Sequence, residues 1–467
     1  MTHSREGAMF GTMAIACCAL ASACAARPRE AEAELLHTAV HRLSQVIVYD
    51  IMSPPQSSRV YAYTSVAAYE TLRQAHPEYR SLAGQLAGLT PVPKPQAGVE
   101  YDWPLAGVEA FMSVGRAMTF SRARVDSLRS VMQEEARQRG VRGAVFDRSV
   151  AYGDTVAHHI LAWAGVDHYL QTRGYPKFSV TTAAGRWVPT PPAYMDAVEA
   201  NWRALRPFVM DSSSQFRLPS PAAFDTAKSS PYFLAAREVY DVGRKLTDEQ
   251  RAIAAFWDCN PYVMNVQGHA MFATKKISPG GHWMGIITLA SRKANADLMR
   301  SSETYARGSV TMADAFIGTW DEKYRSAVMR PETVIDKYID ETWQPLLQTP
   351  PFPEYPSGHS VVSTAVATVL AKQYGSPFAF ADSAEMEFGL PVRTFPSFEA
   401  AASEAAISRL YGGIHYRAAI ERGEMLGHQV GELVLARVKT RDLVPAARMV
   451  ASGGVAAPLA AVSAPAH

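Results

Sequence analysis

The chain has 467 residues, 48% of them hydrophobic, enough to bury a large core in one to three domains. Charged residues make up 19% and the net charge is +2, which excludes a strong global field for nucleic acid or a membrane surface. Of the four cysteines, Cys17, Cys18 and Cys24 precede the folded body, so Cys259 alone is left to it, and neither a disulfide framework nor a zinc site made of cysteines can be built.

Residues 8–26 carry no charge, are rich in alanine and end in small residues, the pattern of an export signal. Ala21-Ser22-Ala23 before Cys24 fits a signal-peptidase site, and also a lipoprotein signal in which Cys24 is acylated, although Leu20 stands one position early for the latter. The expectation is removal of residues 1–24 and a mature chain in the periplasm or lipid-anchored to the bacterial envelope. No later run reaches the roughly 18 apolar residues of a membrane span.

Apolar positions at three- and four-residue spacing predict a helix over 31–50, stopped by Ser53-Pro54-Pro55, and a second from about Ser58 to Arg73. Further helices are expected within 105–140 and over 143–165. The stretch 170–230 is broken by prolines and reads as loop with one short helix near 193–204. Helices resume at about 231–258, 283–319, 333–346, 358–374 and 398–438, and the small-residue tail from Ala446 reads as disordered. Strand-like alternation is scarce, so the fold class is all-α, built of helical bundles. The domain reading is an N-terminal helical region at 25–230, an active-site bundle at 231–445 and a tail at 446–467.

Three clusters carry the chemistry. Lys323 and Arg330 stand seven apart; on one helix they would share a face about 20° apart and roughly 10 Å along the axis, able to grip one anion, before Pro331 ends the helix. Pro356-Ser357-Gly358-His359 opens an apolar helix. Ser357 is a natural N-cap, and backbone N–H groups at Ser357 and Gly358 would face an anion with His359 beside it. Arg409 and His415 stand six apart, with Gly412-Gly413 supplying the break that lets both reach one site. Two guanidiniums, an ammonium, a helix N-terminus and two histidines suit a tetrahedral or trigonal-bipyramidal oxyanion. One histidine can be nucleophile or metal ligand and the other acid or base.

The order Lys323-x6-Arg330-Pro331, then Pro356-Ser357-Gly358-His359, then Ser408-Arg409-x5-His415 resembles the three-part signature of the type-2 phosphatidic acid phosphatase and vanadium haloperoxidase superfamily. Segments 53–70, 254–260, 278–283 and 312–324 extend the likeness to the soluble bacterial haloperoxidase-like branch. The resemblance implies a helical bundle and a vanadium-dependent haloperoxidase using hydrogen peroxide, halide and a small organic acceptor. It makes His415 the axial ligand of vanadate. It puts Lys323, Arg330, Ser357, Gly358 and Arg409 on the equatorial oxygens, His359 as acid–base group, and Lys323 closest to the peroxide. Phe352, five before the signature serine, is similar to the aromatic residue of the chloroperoxidases, and His282 and Asp258 are candidates for the outer shell.

Two alternatives stay open. The same pocket would bind phosphate and hydrolyse a phosphate ester through a phosphohistidine at His415. The phosphatases, however, carry an orienting Asp four residues after that histidine, where this chain has Ala419, with Glu421 the nearest acid. A non-catalytic oxyanion-binding envelope protein would be expected to lose one or more of the cations, and none is lost.

Overall fold

The computed structural model describes residues 32–181 and 183–441; the export segment with Cys24 and the tail from Ala446 lie outside the described residues. The first helix, α1, runs through 32–49. Ser53-Pro54-Pro55 does more than separate two helices: it starts α2 (Pro54–Leu72). Ser53 accepts from the Gln56 N–H, the Gln56 side chain returns the bond, and the prolines occupy the first turn, where a missing N–H costs nothing. Helices α3 (Trp103–Met118), α4 (Arg122–Gln138) and α5 (Gly143–Ala164) follow as expected.

After the short α6 (Tyr169–Thr172) the chain is irregular to Ser230. The helix expected near 193–204 shrinks to a single 3₁₀ turn at Trp202–Ala204, because Tyr194 and Glu199 take left-handed backbone. This loop packs over the site: Val198 N–H donates to the Pro351 carbonyl, Trp187 N–H to that of Ala327, and the Tyr324 hydroxyl to that of Val198.

Two runs read as single helices, 231–258 and 283–319, are each two, and the run over 398–438 breaks at Gly412-Gly413 as expected. Thr247 caps a new helix and divides 231–258 into α7 (Pro231–Arg244) and α8 (Asp248–Phe256). Left-handed Asn295 and the cap Asp297 divide α9 (Pro279–Lys293) from α10 (Leu298–Ser326). Gly412-Gly413 divides α13 (Phe398–Tyr411) from α14 (Arg417–Arg437). Between them lie α11 (Pro331–Tyr338) and α12 (Gly358–Tyr374). Two hairpins, β1 (Met264–Gln267) with β2 (Ala270–Ala273) and β3 (Phe380–Asp382) with β4 (Arg393–Phe395), are too short to show as alternation. The all-α class therefore holds.

Long α10 is buried on nearly every face and packs on α2, α9 and α12, inside a core cluster that runs from Ala33 to Val438. The pair α12 and α14 touches backbone to backbone. A Cβ on Gly427 would lie 2.5 Å from the Val361 carbonyl oxygen, and one on Gly423 2.8 Å from that of Ser357. Among the described residues no helix is long and apolar enough to cross a membrane.

Asp314, fully buried on α10, accepts backbone N–H bonds from Phe208, Val209 and Met210 at 2.6–2.8 Å and so fastens the middle of the long loop to the core. Replacing it leaves three donors unpaired in an apolar setting. Asp314→Ala is expected to cost about 2–4 kcal/mol of stability, measured by denaturant unfolding; a loss under about 0.5 kcal/mol would show that the clasp is not structural.

Candidate active site

Lys323 and Arg330 do not share a helix. Helix α10 ends at Ser326 because Ala327 takes a left-handed conformation, and Arg330 is the N-cap of α11, with Pro331 at its first position. The same-face spacing of an unbroken helix is replaced by a bend. Lys323 is fully buried, and its ammonium donates to the carbonyls of Pro353 (2.9 Å), Glu354 (3.0 Å) and Pro356 (2.6 Å). It is thus a strut under the loop that leads into α12, not a free donor in the cavity. Burial first, then the neighbouring Arg330, hold its pKa well below the ordinary lysine value. Arg330, equally buried, donates through Nε to the Phe352 carbonyl and through Nη1 to that of Ile414. Its Nη2 is buried with no hydrogen-bond partner among the described residues.

Ser357 caps α12 as expected: its Oγ accepts from the Ser360 N–H and from the Ser360 hydroxyl. Its own N–H is not available to an anion, because it donates to the Ala419 carbonyl at 3.0 Å and ties α12 to α14. The open donors of the helix end are therefore those of Gly358 and His359, the first two residues of α12, which no helical carbonyl can accept. A Cβ on Gly358 would reach no nearer than 3.8 Å to Trp320 and 3.9 Å to Lys323, so the glycine leaves room in front of the helix.

The two histidines have opposite surroundings and one common property. His415 lies between Glu354 Oε1, 2.8 Å from Nδ1, and Arg330 Nη1, 3.1 Å from Nε2. A guanidinium only donates, so Nε2 must carry the lone pair and Nδ1 the proton. Burial, followed by Arg330, Lys323 and Arg409, keeps the ring neutral, well below the ordinary histidine range. His359 bonds the Trp257 carbonyl, which only accepts, while its Nε2 is buried without a partner among the described residues; Nδ1 therefore carries the proton and Nε2 is open. Burial and then Arg409 keep this ring neutral as well. Arg409, 1% exposed, donates to the same Trp257 carbonyl at 2.5 Å and to the Ser408 hydroxyl at 2.9 Å. Left-handed Gly413, φ +77°, makes the turn between Arg409 and His415.

Glu354 is the residue the sequence reading missed. It orients His415 and also accepts the Tyr416 N–H at 3.0 Å; burial pushes its carboxyl up to about 7, against the pull of Arg330 and Lys323. The signal was present as the acid inside Pro353-Glu354-Tyr355-Pro356, three residues before the capping serine. The missing carboxylate at position 419 is thus supplied from another segment, and Ala419 does not separate phosphoryl from peroxidase chemistry.

A cavity is lined by Gly358, His359, Arg409, His415, Phe352 and Cys259, among others. Phe352 packs on Trp320 with ring centroids 5.0 Å apart and lies against both Lys323 and Arg330, so it is a wall of the cation cluster. Of the outer candidates, Asp258 pairs with Lys276 at 2.5 Å. His282 does not reach the cavity lining; it stacks on Trp257 at 4.6 Å and sits between Asp382 and Glu385. Burial opposes its charge, but the two carboxylates hold its pKa well above the ordinary value.

A tetrahedral oxyanion such as vanadate fits this donor set. The cluster brings together three buried cations, a buried guanidinium nitrogen has no partner among the described residues, and a glycine leaves the helix end open.

A family model described as the VCPO second helical-bundle domain matches residues 303–441, the span that holds all seven signature residues. A bacterial vanadium-dependent iodoperoxidase of known crystal structure is 48% identical over 87% of this chain and 97% of its own, with a TM-score of 0.83. Holo and apo structures of a bacterial vanadium-dependent chloroperoxidase align over 83% of this chain at 16% identity and a TM-score of 0.63, a likeness of fold. Among curated proteins none matches.

Glu354 acts on the oxyanion only through His415. Glu354→Ala is expected to lower vanadate affinity about 10- to 100-fold, read by equilibrium dialysis of orthovanadate, with Glu354→Gln intermediate because its amide oxygen still accepts from Nδ1. Unchanged affinity in both variants would remove Glu354 from the site.

Proposed function

This chain belongs to the vanadium haloperoxidase superfamily, and we propose that it oxidises halide with hydrogen peroxide at a vanadate held by His415. The observation that carries the reading is the tautomer of His415: a buried, neutral ring with its Nε2 lone pair turned into a cluster of cations. Vanadate, when bound, supplies a pentavalent Lewis acid that activates hydrogen peroxide toward attack by halide.

Every other part of the proposal is a task for this chain's residues. His415 Nε2 is the ligand, and Glu354 fixes the ring so that the lone pair faces inward. Arg330 and Arg409 neutralise the anion, and the N–H groups at the start of α12 donate hydrogen bonds to its remaining oxygens. His359, neutral with an open Nε2, takes a proton from incoming hydrogen peroxide and returns one to the departing hydroxyl. Lys323 holds the 353–356 loop from below and adds positive charge to the pocket; this replaces the expected picture of an ammonium facing the peroxide. Phe352, with Trp320 behind it, excludes water from the side on which Lys323 and Arg330 lie.

Iodide is the halide we propose first. It is the most easily oxidised of the three, and the 48%-identical structure is an iodoperoxidase, whereas the chloroperoxidase likeness rests on fold. The aromatic Phe352, which the sequence reading linked to chloride, is accounted for by its packing against two cations. The released hypohalous acid would halogenate a small organic acceptor in solution. Residues 1–24 support export, with Cys24 as the candidate lipid anchor; the mass of the mature N-terminus would decide between cleavage and acylation.

The deciding assay follows triiodide formation from iodide and hydrogen peroxide with and without added vanadate, repeated with bromide and chloride, and with p-nitrophenyl phosphate hydrolysis in parallel. Vanadate-dependent iodide oxidation is expected, falling by about 100-fold or more in His415→Ala. Lys323→Ala is expected to lose activity and vanadate affinity together with stability, since three loop carbonyls lose their donor. Phosphate release without halide oxidation would keep the pocket and overturn the chemistry.

A further inference from the structure

Beside the cavity, against the ring of Trp257, three side chains from separate segments meet: Cys259 after α8, His282 in the first turn of α9 and Glu385 after β3. Each is at most 5% exposed. Cys259 Sγ is 3.4 Å from His282 Nδ1 and 3.7 Å from Glu385 Oε1, and Nδ1 is 3.0 Å from Oε1. The other ring nitrogen, Nε2, bonds Asp382 Oδ2 at 2.8 Å.

We propose that Cys259, His282 and Glu385 form a binding site for a divalent zinc-type ion beside the oxyanion pocket, with Cys259 on the wall between the two. A tetrahedral zinc with bonds of about 2.3 Å to sulfur and about 2.0 Å to nitrogen and oxygen places its donors about 3.3–3.5 Å apart. The three measured separations lie within a few tenths of an ångström of that. The donor types, thiolate, imidazole and carboxylate, are those zinc takes together. Asp382 supplies the carboxylate that zinc-bound histidines have on the ring nitrogen facing away from the metal, and it fixes Nδ1 as the ligand atom. An entry path exists: Glu385 is also part of the wall of an open cleft of about 550 Å³, reached without passing the catalytic cavity. The fourth position would hold water, as in open zinc sites.

Without a cation the cluster is poorly balanced. Two buried carboxylates face one imidazole, and the nearby positive groups are engaged elsewhere, Arg409 on the Trp257 carbonyl and Ser408, Lys276 on Asp258. Binding would release the thiol proton and any proton on Nδ1 and form the metal–sulfur and metal–nitrogen bonds in their place, with no change of oxidation state.

The test uses the full chain, stripped with a chelator, desalted and titrated with cobalt(II) and then zinc(II). One cobalt should bind with a thiolate-to-cobalt charge-transfer band in the near ultraviolet, and one zinc should displace it. Cys259→Ala should abolish the band, and Asp382→Asn should keep it while weakening zinc about 10- to 100-fold. Because Cys259→Ala is a core change, Glu385→Gln, which should weaken zinc and shift the band, keeps the test decisive if the alanine variant does not fold. Wild-type protein that oxidises iodide with vanadate yet shows no band and holds no zinc overturns the proposal, and so does cobalt bound without the band. The readout is independent of vanadate, so a failure here leaves the proposed function standing.

Discussion

Three buried cations, Lys323, Arg330 and Arg409, line the site, the first two beside the buried carboxylate of Glu354, and most of the site follows from how that charge is held. Lys323, Arg330 and Arg409 are each at most 1% exposed, as is Glu354. Charge taken out of water is costly unless dipoles or counter-charges replace the water. Here backbone carbonyls do so: Pro353, Glu354 and Pro356 on Lys323, Phe352 and Ile414 on Arg330, Trp257 on Arg409. Each of those carbonyls belongs to a segment that also carries a site residue or a wall of the cavity. Solvating the cations and ordering the walls are therefore one set of contacts, and the positive charge left over is what an oxyanion neutralises. Burial, and after it the same field, keeps His359 and His415 neutral, so that each has a lone pair to offer.

The sequence carried the local part of this arrangement well. Ser357 as a cap, the helix over 358–374, the break at Gly412-Gly413 and the extended backbone of Arg330 before Pro331 all depend on neighbours within a few residues, where capping and proline chemistry decide the outcome. The non-local part was hidden. Glu354 reaches His415 across 61 positions, and nothing within either segment says that they meet. The Ser357 N–H looked free because a helix N-terminus is free in isolation; Ala419, brought in by α14, claims it. The expected face shared by Lys323 and Arg330 failed at Ala327, whose left-handed turn no propensity rule favours for alanine. The long helical runs were divided at Thr247 and at Asn295–Asp297, where capping residues stand inside apolar-periodic stretches and the periodicity continued across them.

Glu354 also changes what separates the two chemistries this superfamily signature allows. A nucleophilic histidine and a metal-ligating histidine need the same preparation: a carboxylate on Nδ1, a neutral ring and an Nε2 lone pair turned toward the site. His415 has all three, so its own surroundings fit either use. Discrimination has to come from the rest of the cavity, from the apolar wall of Phe352 and Trp320 and from how a ligand larger than peroxide and halide would fit between Phe352 and His359. The loop over 173–230 bears on this directly, because its Val198 and Trp187 N–H groups lie on the backbone of the segments that carry Phe352 and Arg330.

The precision of the site is set partly by residues that never approach the anion. Ser357 and His415 belong to different helices' entries, and the bond from Ser357 N–H to the Ala419 carbonyl is a direct tie between them. That bond requires the axes of α12 and α14 to run close, which a stripe of Gly423, Gly427 and Gly431 permits; any Cβ there would press within 2.5–2.9 Å of α12 carbonyl oxygens. Separating the two helices by the width of a methyl group would stretch the Ser357–Ala419 bond and draw His415 away from Glu354, since Tyr416, the residue before α14, is held by the same carboxylate oxygen. The glycines thus set the geometry of the site as much as the arginines do, although they lie between the two helices and carry no chemistry of their own.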